Sequence, residues 1–512
     1  MNNRILKWNL IFQYGFVITN IINSIILFPY YLKYIDATTL GIWLATGNIL
    51  AWMTLADPGV GDVLQQKIAE LRGKKLFSEI GQTIGSGFMA SALLLVISVI
   101  VGFIFFFLIG SIINKDVSRY PNLQMALMLS IIATGMSLVS FSMSGINQGM
   151  HNSAHVAVAS LIANFVFLLV TGLLLYMKFG VISIAFGNLC RALFINIYNW
   201  LAMRSLLRKE DLKIIFSKTH FKSFIRIFSF TSVSRIIGGF SSSMDMIILA
   251  RFIPPGMITI YEINKRPINL TQSMLGRHSV ALMPLISHAK GTGDMAGINN
   301  LISKQFKFYS YAAIFVACMF CLVYRDLITA WTGSGKYAGD TIMYLLVAIF
   351  FFYLIGYFMS NMAYALGDIK RNSMVNIIRG ILLGVLLFFI AKKYGIIGTL
   401  VATLSVVLIT DFSYFTYRLY KLGYLKTSLI KSTLNLWAVV VPAAVMLVWG
   451  CKTLVQRMFV ETMHITKLII SSGIFTGFFM LLLIMADGEV RDIVKLLKQK
   501  FILIPYYKLR KV

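Results

Sequence analysis

KYIDATTLGIW, Lys33 to Trp43, returns 218 residues later as RFIPPGMITIY, Arg251 to Tyr261. At the same offset Ile68, Arg72 and Gly73 fall on Ile286, Lys290 and Gly291, and Gly149 falls on Gly367. Further along, KFGVIS, Lys178 to Ser183, returns as KYGIIG, Lys393 to Gly398, at an offset of 215. Each match is short, but four in order at nearly one offset define an internal repeat, and the repeat decides the fold.

The chain of 512 residues is 58% hydrophobic and 13% charged, the profile of a polytopic membrane protein. Fourteen apolar spans are legible, the first near residues 10–34 and the last near 468–486. The repeat sets spans 1 to 6 on spans 7 to 12. Six is even, so both halves begin on the same side of the membrane and are parallel about an axis along its normal. The expected fold is therefore all-α and polytopic, with two parallel six-helix lobes around a central cavity and two added C-terminal helices. The corresponding domains are residues 1–216, 217–425 and 426–512.

A net charge of +28 invites a nucleic-acid reading, but most of the 47 Lys and Arg lie in alternate connections and the tail. That bias places both termini in the cytoplasm and marks a topology signal facing anionic lipid, not a nucleic-acid surface. The start, MNNRILKWNLIFQYGFVITNIINS, lacks a small-residue cleavage site and reads as a retained first span. In the tail, Val490, Ile493, Val494, Leu497 and Phe501 oppose lysines, the pattern of a helix lying on the membrane surface. Cys190, Cys318, Cys321 and Cys451 lie in or beside apolar runs, so neither a disulfide framework nor a zinc site is indicated, and CMFC at 318–321 reads as packing. His151 and His155 have metal-ligand spacing but no third ligand nearby. Phosphate-loop motifs are missing, so no nucleotide motor is expected; no metal, cofactor or catalytic set is read from the residues.

The chemistry lies in the charges inside the spans. Span 8, IYEINKRPINLTQSMLGRHSVALMP (Ile260 to Pro284), carries Glu262, Lys265, Arg266 and Arg277. Each such charge costs about 2.5–3.5 kcal/mol at a helix centre facing lipid, so these residues should face water or protein. At 100° per residue Glu262, Lys265, Arg266, Asn269, Gln272, Ser273, Gly276 and Ser279 share one face, with Arg277 at its edge; Ile263, Pro267, Leu270, Met274 and Ala281 share the other. Arg191, Arg235, Arg379, Asp245 and Asp411 lie in other spans, leaving cations in excess. An excess of buried cations suits an anionic passenger, with Arg meeting phosphate through two parallel hydrogen bonds. Arg266, Lys265 and Arg277 are the leading substrate-binding candidates. Arg235, Arg191 and Arg379 read equally as ligand contacts or as partners of Asp245 and Asp411. Asp245, Glu262 and Asp411 are candidates for binding a coupling proton or sodium ion, or for pairing with nearby arginines.

LGIWLATGNILAW followed by DPGVGD and KIAELRGKK resembles the second span and following loop of bacterial polysaccharide exporters. These are the O-antigen-type flippases of the multidrug/oligosaccharidyl-lipid/polysaccharide exporter superfamily. MDMIILARFI, ITIY, LMPLIS and AWTGSGKYAG in the second half are similar to that family too. The resemblance covers roughly residues 10–425. It implies transport of a polyprenyl-diphosphate-linked oligosaccharide from the inner to the outer leaflet of the bacterial cytoplasmic membrane, without enzymatic chemistry. It further implies a polysaccharide polymerase and a chain-length regulator as partners. A multidrug exporter shares the plan but favours carboxylates for its cationic substrates. A cell-wall lipid precursor flippase fits as well. A polymerase needs a sizeable outer loop, whereas the longest outer connection is Cys451 to Lys467.

Overall fold

The computed structural model describes residues 3–55, 60–73, 76–114, 117, 120–150, 152–225, 244–291, 294–458, 464–488 and 490–492. Among these there is no β-strand. Arg235, His151 and the tail from Ile493 onward lie outside the described residues. The chain forms two compact units, Met1–Glu262 with Ser373–Ala402, and Ile263–Asn372 with Thr403–Val512.

The first unit holds α1 (Asn3–Tyr34), α2 (Ala37–Leu55), α3 (Val60–Gly73), α4 (Phe77–Ile113), α5 (Pro121–Gly149), α6 (Ser153–Tyr176) and α7 (Ile182–Lys209). α8 (Pro255–Gly291) begins in this unit and continues into the second. α9 (Met295–Thr332), α10 (Asp340–Ala365), α12 (Tyr414–Lys421), α13 (Thr427–Met458) and α14 (His464–Ala486) belong to the second. α11 (Ile369–Val406) runs from the second unit into the first and back, ending in a π-helical stretch, Val407–Ser413.

Eight helical runs among the described residues are long and apolar enough to cross a membrane. One of them, Lys370–Lys421, has 52 residues. At 1.5 Å per residue it would reach about 78 Å, more than twice the ~30 Å hydrocarbon core. Gly395, with φ 55° and ψ −134°, divides it, a backbone state open mainly to glycine. The break falls between the eleventh and twelfth spans read from the sequence, near residues 373–391 and 396–417.

Short amphipathic α3 organises the first unit. Val60, Leu64, Ile68 and Leu71 recur at helical spacing and form a core with Ile80 and Ile84 of α4, Ile146 of α5 and Met203 and Leu207 of α7. Gly61, the second glycine of DPGVGD, explains that motif: a Cβ there would lie 2.5 Å from the Phe141 carbonyl oxygen. A Cβ on Gly145 would lie 2.1 Å from the Gly61 carbonyl oxygen. Small residues let α3 and α5 meet backbone to backbone. In the second unit, Ile314, Cys318 and Leu322 of α9 pack with Val440 and Ala444 of α13 and Phe475 and Phe479 of α14. The two helices outside the repeat thus bury their apolar stripes on α9, with Cys318 as part of the packing.

Geometry carries the repeat further than sequence does. α2 and α8 touch near their N-termini, where a Cβ on Gly41 would lie 1.8 Å from the Pro255 carbonyl oxygen. Thr259 Oγ1 in turn donates to the Ala37 carbonyl at 2.8 Å. The 218-residue offset exchanges Ala37 with Pro255 and Gly41 with Thr259, so the two contacts are images of each other. Such reciprocity is the mark of a two-fold relation. The copies begin their helices differently: Asp36 Oδ1 accepts from Thr39 N at 2.8 Å as an N-cap, whereas the second copy uses Pro255 in the first turn.

A second repeated device lies at the far end of these helices. Arg72, closing α3, donates to the carbonyl of Met150 at 2.7 Å, and Lys290, near the end of α8, donates to that of Leu366 at 2.5 Å. Met150 and Leu366 are the C-caps of α5 and α10. A cation on a C-terminal carbonyl satisfies an orphan acceptor and opposes the negative end of the helix dipole.

Candidate functional site

Lys265, Arg266 and Arg277 lie on the part of α8 that belongs to the second unit. The stripe α8 buries is Tyr261, Asn264, Ile268, Ser279, Leu282 and Ile286. Ser279 Oγ accepts from Asn361 Nδ2 at 2.7 Å, and Gly276 lies against the Tyr357 ring, so α10 packs on this side. Asn269, Ser273, Met274 and Arg277 are exposed, and Lys265, Arg266 and Gln272 are half-buried. On the face expected to meet water or protein, Gly276 and Ser279 are packed against protein; on the other, Ile263 is buried and Met274 is open. The reason is that α8 is oriented by its neighbours on α9 and α10, and the packed stripe is half polar.

What remains open on α8 is a polar strip with Arg266 and Arg277 eleven residues apart, about 16 Å along the axis. Arg277 makes no hydrogen bond or ion pair among the described residues. Arg266 and Lys265 do have electrostatic or hydrogen-bonding neighbours. A guanidinium can hold two phosphate oxygens at once, and hydroxyl and amide groups between the two arginines suit sugar hydroxyls.

Asn264, missed in the sequence reading, fixes the strip. Its Nδ2 donates to the Lys336 carbonyl at 2.8 Å and its Oδ1 accepts from Ala338 N at 3.2 Å. Tyr324 OH of α9 donates to its backbone carbonyl. Asn264 therefore ties α8 to the Gly-rich turn after α9, one residue before Lys265. An Asn in an apolar helix was the available signal.

The other candidates lie on several elements, with Asp245 and Glu262 both beside Tyr261. Arg191 on α7 and Arg379 on α11 are half-buried in the first unit. Asp245, 6% exposed, accepts from the buried Tyr261 OH at 2.6 Å. Glu262 is half-buried at the last position of the first unit. Asp411, 3% exposed, sits in the π-helical stretch, and Thr410 Oγ1 donates to its Oδ2 at 2.9 Å. α10 approaches here so closely that a Cβ on Gly356 would lie 2.6 Å from the Asp411 carbonyl carbon. π-Bulges occur often at functional sites, which keeps Asp411 among the coupling candidates. No cluster of three metal-binding side chains occurs among the described residues.

Paired helical repeats in a membrane chain are an architecture shared with lipid flippases and multidrug exporters. The chain is similar in structure to the lipid II flippase MurJ in an inward closed conformation, with a TM-score of 0.68 and 16% identity, covering 93% of this chain and 99% of that one. It is also similar to an inward-facing multidrug resistance MATE family transporter of the MOP superfamily, with a TM-score of 0.64 and 14% identity over 80% of this chain and 95% of the other. A MOP superfamily transporter from Pyrococcus furiosus matches at a TM-score of 0.57 and 13% identity, over 81% and 96%. No curated protein matches the chain in sequence. The family model described as "Polysaccharide biosynthesis protein" matches residues 8–290, more than half of the chain. The chain belongs to this polysaccharide biosynthesis protein family, and its fold is that of the MurJ and MATE transporters.

Proposed function

We propose that the protein is a flippase carrying a polyprenyl-diphosphate-linked oligosaccharide, an O-antigen or other surface-polysaccharide repeat unit, from the inner to the outer leaflet of the bacterial inner membrane. The carrying observation is the exposed cationic strip of α8, with Arg277 unpaired among the described residues and Arg266 half-buried. Family membership supports a polysaccharide pathway. The lobes are residues 1–216 and 217–425, with 426–512 appended, and both termini are cytoplasmic. Arg266, Lys265 and Arg277 bind the diphosphate or acidic sugars, and Arg191, Arg235 and Arg379 are secondary candidates. A polymerase and a chain-length regulator act downstream.

An inside-negative potential favours outward movement of an anion by about 2.3 kcal/mol per charge per 100 mV. Bound arginines cancel part of that charge, which leaves room for a coupling ion at Asp245, Glu262 or Asp411. Transport requires the α2–α8 contact at Gly41 and Pro255 to open and close, and that end of the helices faces outward in this topology. A multidrug antiporter is the second reading, favoured by the MATE likeness, but its cationic substrates would meet the wrong charge on α8. Substitution of Arg266 and Arg277 by Ala, with surface polysaccharide and lipid-linked precursor measured separately, tests the assignment.

A further inference from the structure

Away from α8, the second unit holds a cavity of about 140 Å³ lined by Lys307, Ser310 and Tyr311 of α9, Ser432, Thr433 and Leu436 of α13, and Ala486 at the end of α14 with Asp487 and Gly488 just beyond it. It is too small for a drug-sized ligand, which needs about 300–1,000 Å³, but adequate for a compact polar group. Lys307 Nζ stands 4.0 Å from Asp487 Oδ2, which also accepts from Tyr311 OH. The Lys307 and Asp487 side chains are 27% and 8% exposed. Thr433 is 4% exposed, and its Oγ1 has no hydrogen-bond partner among the described residues. A buried hydroxyl without a partner is costly, and a polar occupant of the cavity would satisfy it.

The depth of the cavity identifies the kind of occupant. Lys307 precedes the apolar part of α9, Thr433 precedes that of α13, and Asp487 follows that of α14. All three helices thus place their polar groups at one membrane boundary, where lipid headgroups lie. The charges identify its chemistry. A lone anion would meet Lys307 but be repelled by Asp487, and a lone cation would meet the reverse. A zwitterion with phosphate and ammonium a few ångströms apart satisfies both.

We propose that this cavity binds the headgroup of a membrane phospholipid carrying a primary ammonium. The phosphate meets Lys307 and the hydroxyls of Thr433 and Ser432, and the ammonium donates to Asp487. A quaternary ammonium has no N–H to donate and loses the Asp487 contact. Occupancy joins α9 to the two helices outside the repeat.

Native mass spectrometry of the full-length protein in detergent, titrated with one lipid at a time, tests this. Phosphatidylethanolamine should bind about tenfold more tightly than phosphatidylcholine or phosphatidylglycerol, the scale of one charge-assisted hydrogen bond. Asp487→Asn should remove the preference for the primary amine, and Thr433→Val should weaken phosphatidylethanolamine several-fold without lowering the lipid-free melting temperature. Arg266→Ala should leave binding intact, which separates this site from the transport path. Equal binding of the three lipids, an undiminished preference in Asp487→Asn, or undiminished phosphatidylethanolamine binding in Thr433→Val would overturn the proposal. Free phosphoethanolamine at matched concentration should not displace the lipid; if it does so equally well, the occupant is a soluble phosphate ester and the lipid assignment fails.

Discussion

Arg277 and Arg266 differ in how much of the fold depends on them. Arg277 is exposed and bonded to nothing described, so Arg277→Ala should change stability by no more than about 0.5 kcal/mol while reducing export. Detergent melting curves and surface-polysaccharide yield measure the two effects independently. Arg277→Lys should recover part of the yield if charge suffices, and little if the two-pronged phosphate contact matters. Arg72 is the opposite case. It bonds the Met150 carbonyl and pairs with Glu210 at 2.7 Å, with side chains 28% and 23% exposed. Partial exposure weakens the ion pair, so Arg72→Met should cost about 1–2 kcal/mol, visible as a lower melting temperature. In the second unit Arg418 pairs with Asp368, at 2.5 Å and 3.2 Å. The sequence marked Arg72 only as one member of a repeat match, because nothing in it shows that two helix ends far apart in the chain present a carbonyl and a carboxylate to one guanidinium.

Among the elements, α2, α8 and α11 carry the informative glycines. Gly41 faces the Pro255 backbone at a distance that admits no side chain, and backbone cannot rotate away as a side chain can. Gly41→Val should therefore hold α2 and α8 apart and suppress transport while leaving the protein in the membrane. Accessibility of a cysteine placed near Ala37 to a membrane-impermeant thiol reagent should rise at least several-fold; unchanged labelling with normal export would show that the contact is dispensable. Gly395 needs a backbone state costing other residues about 1–3 kcal/mol, so Gly395→Ala should lower the melting temperature. Gly172 in α6 has open space around it, and Gly172→Ala should be neutral or slightly stabilising. Helix boundaries are set at such places by turn glycines, Pro255 and Asp36, which act locally. The rotation of α8 was not legible. A helical wheel groups Gly276 and Ser279 with the charges, but only neighbours on α10 reveal that these two are the residues that pack.

At the scale of the molecule, four sequence matches at nearly one offset foretold two like halves of parallel helices. The reciprocal contacts of Gly41 with Pro255 and Thr259 with Ala37, and the cation on the C-cap of α5 and again of α10, give that symmetry atomic form. The repeat was legible because it is preserved where the backbone is constrained. The polar cavity beside α13 and α14 was not, since those helices have no counterpart in the repeat and their lining residues are spread over nearly two hundred positions. The charges of α8 are likewise absent from the matching stretch of α2, so the shared scaffold carries an addition in one half only. A symmetric scaffold made asymmetric by cations suits the anion carrier proposed above.

The central claim is that these cations guide a lipid-linked anion across the membrane. The most direct measurement compares, in cells whose only copy is wild type or the Arg266→Ala, Arg277→Ala double variant, the leaflet in which the lipid-linked oligosaccharide resides. At equal membrane levels of the protein, the double variant should hold the lipid-linked unit on the cytoplasmic side and leave the surface bare of polysaccharide. Normal surface polysaccharide with no cytoplasmic-side accumulation would contradict the account.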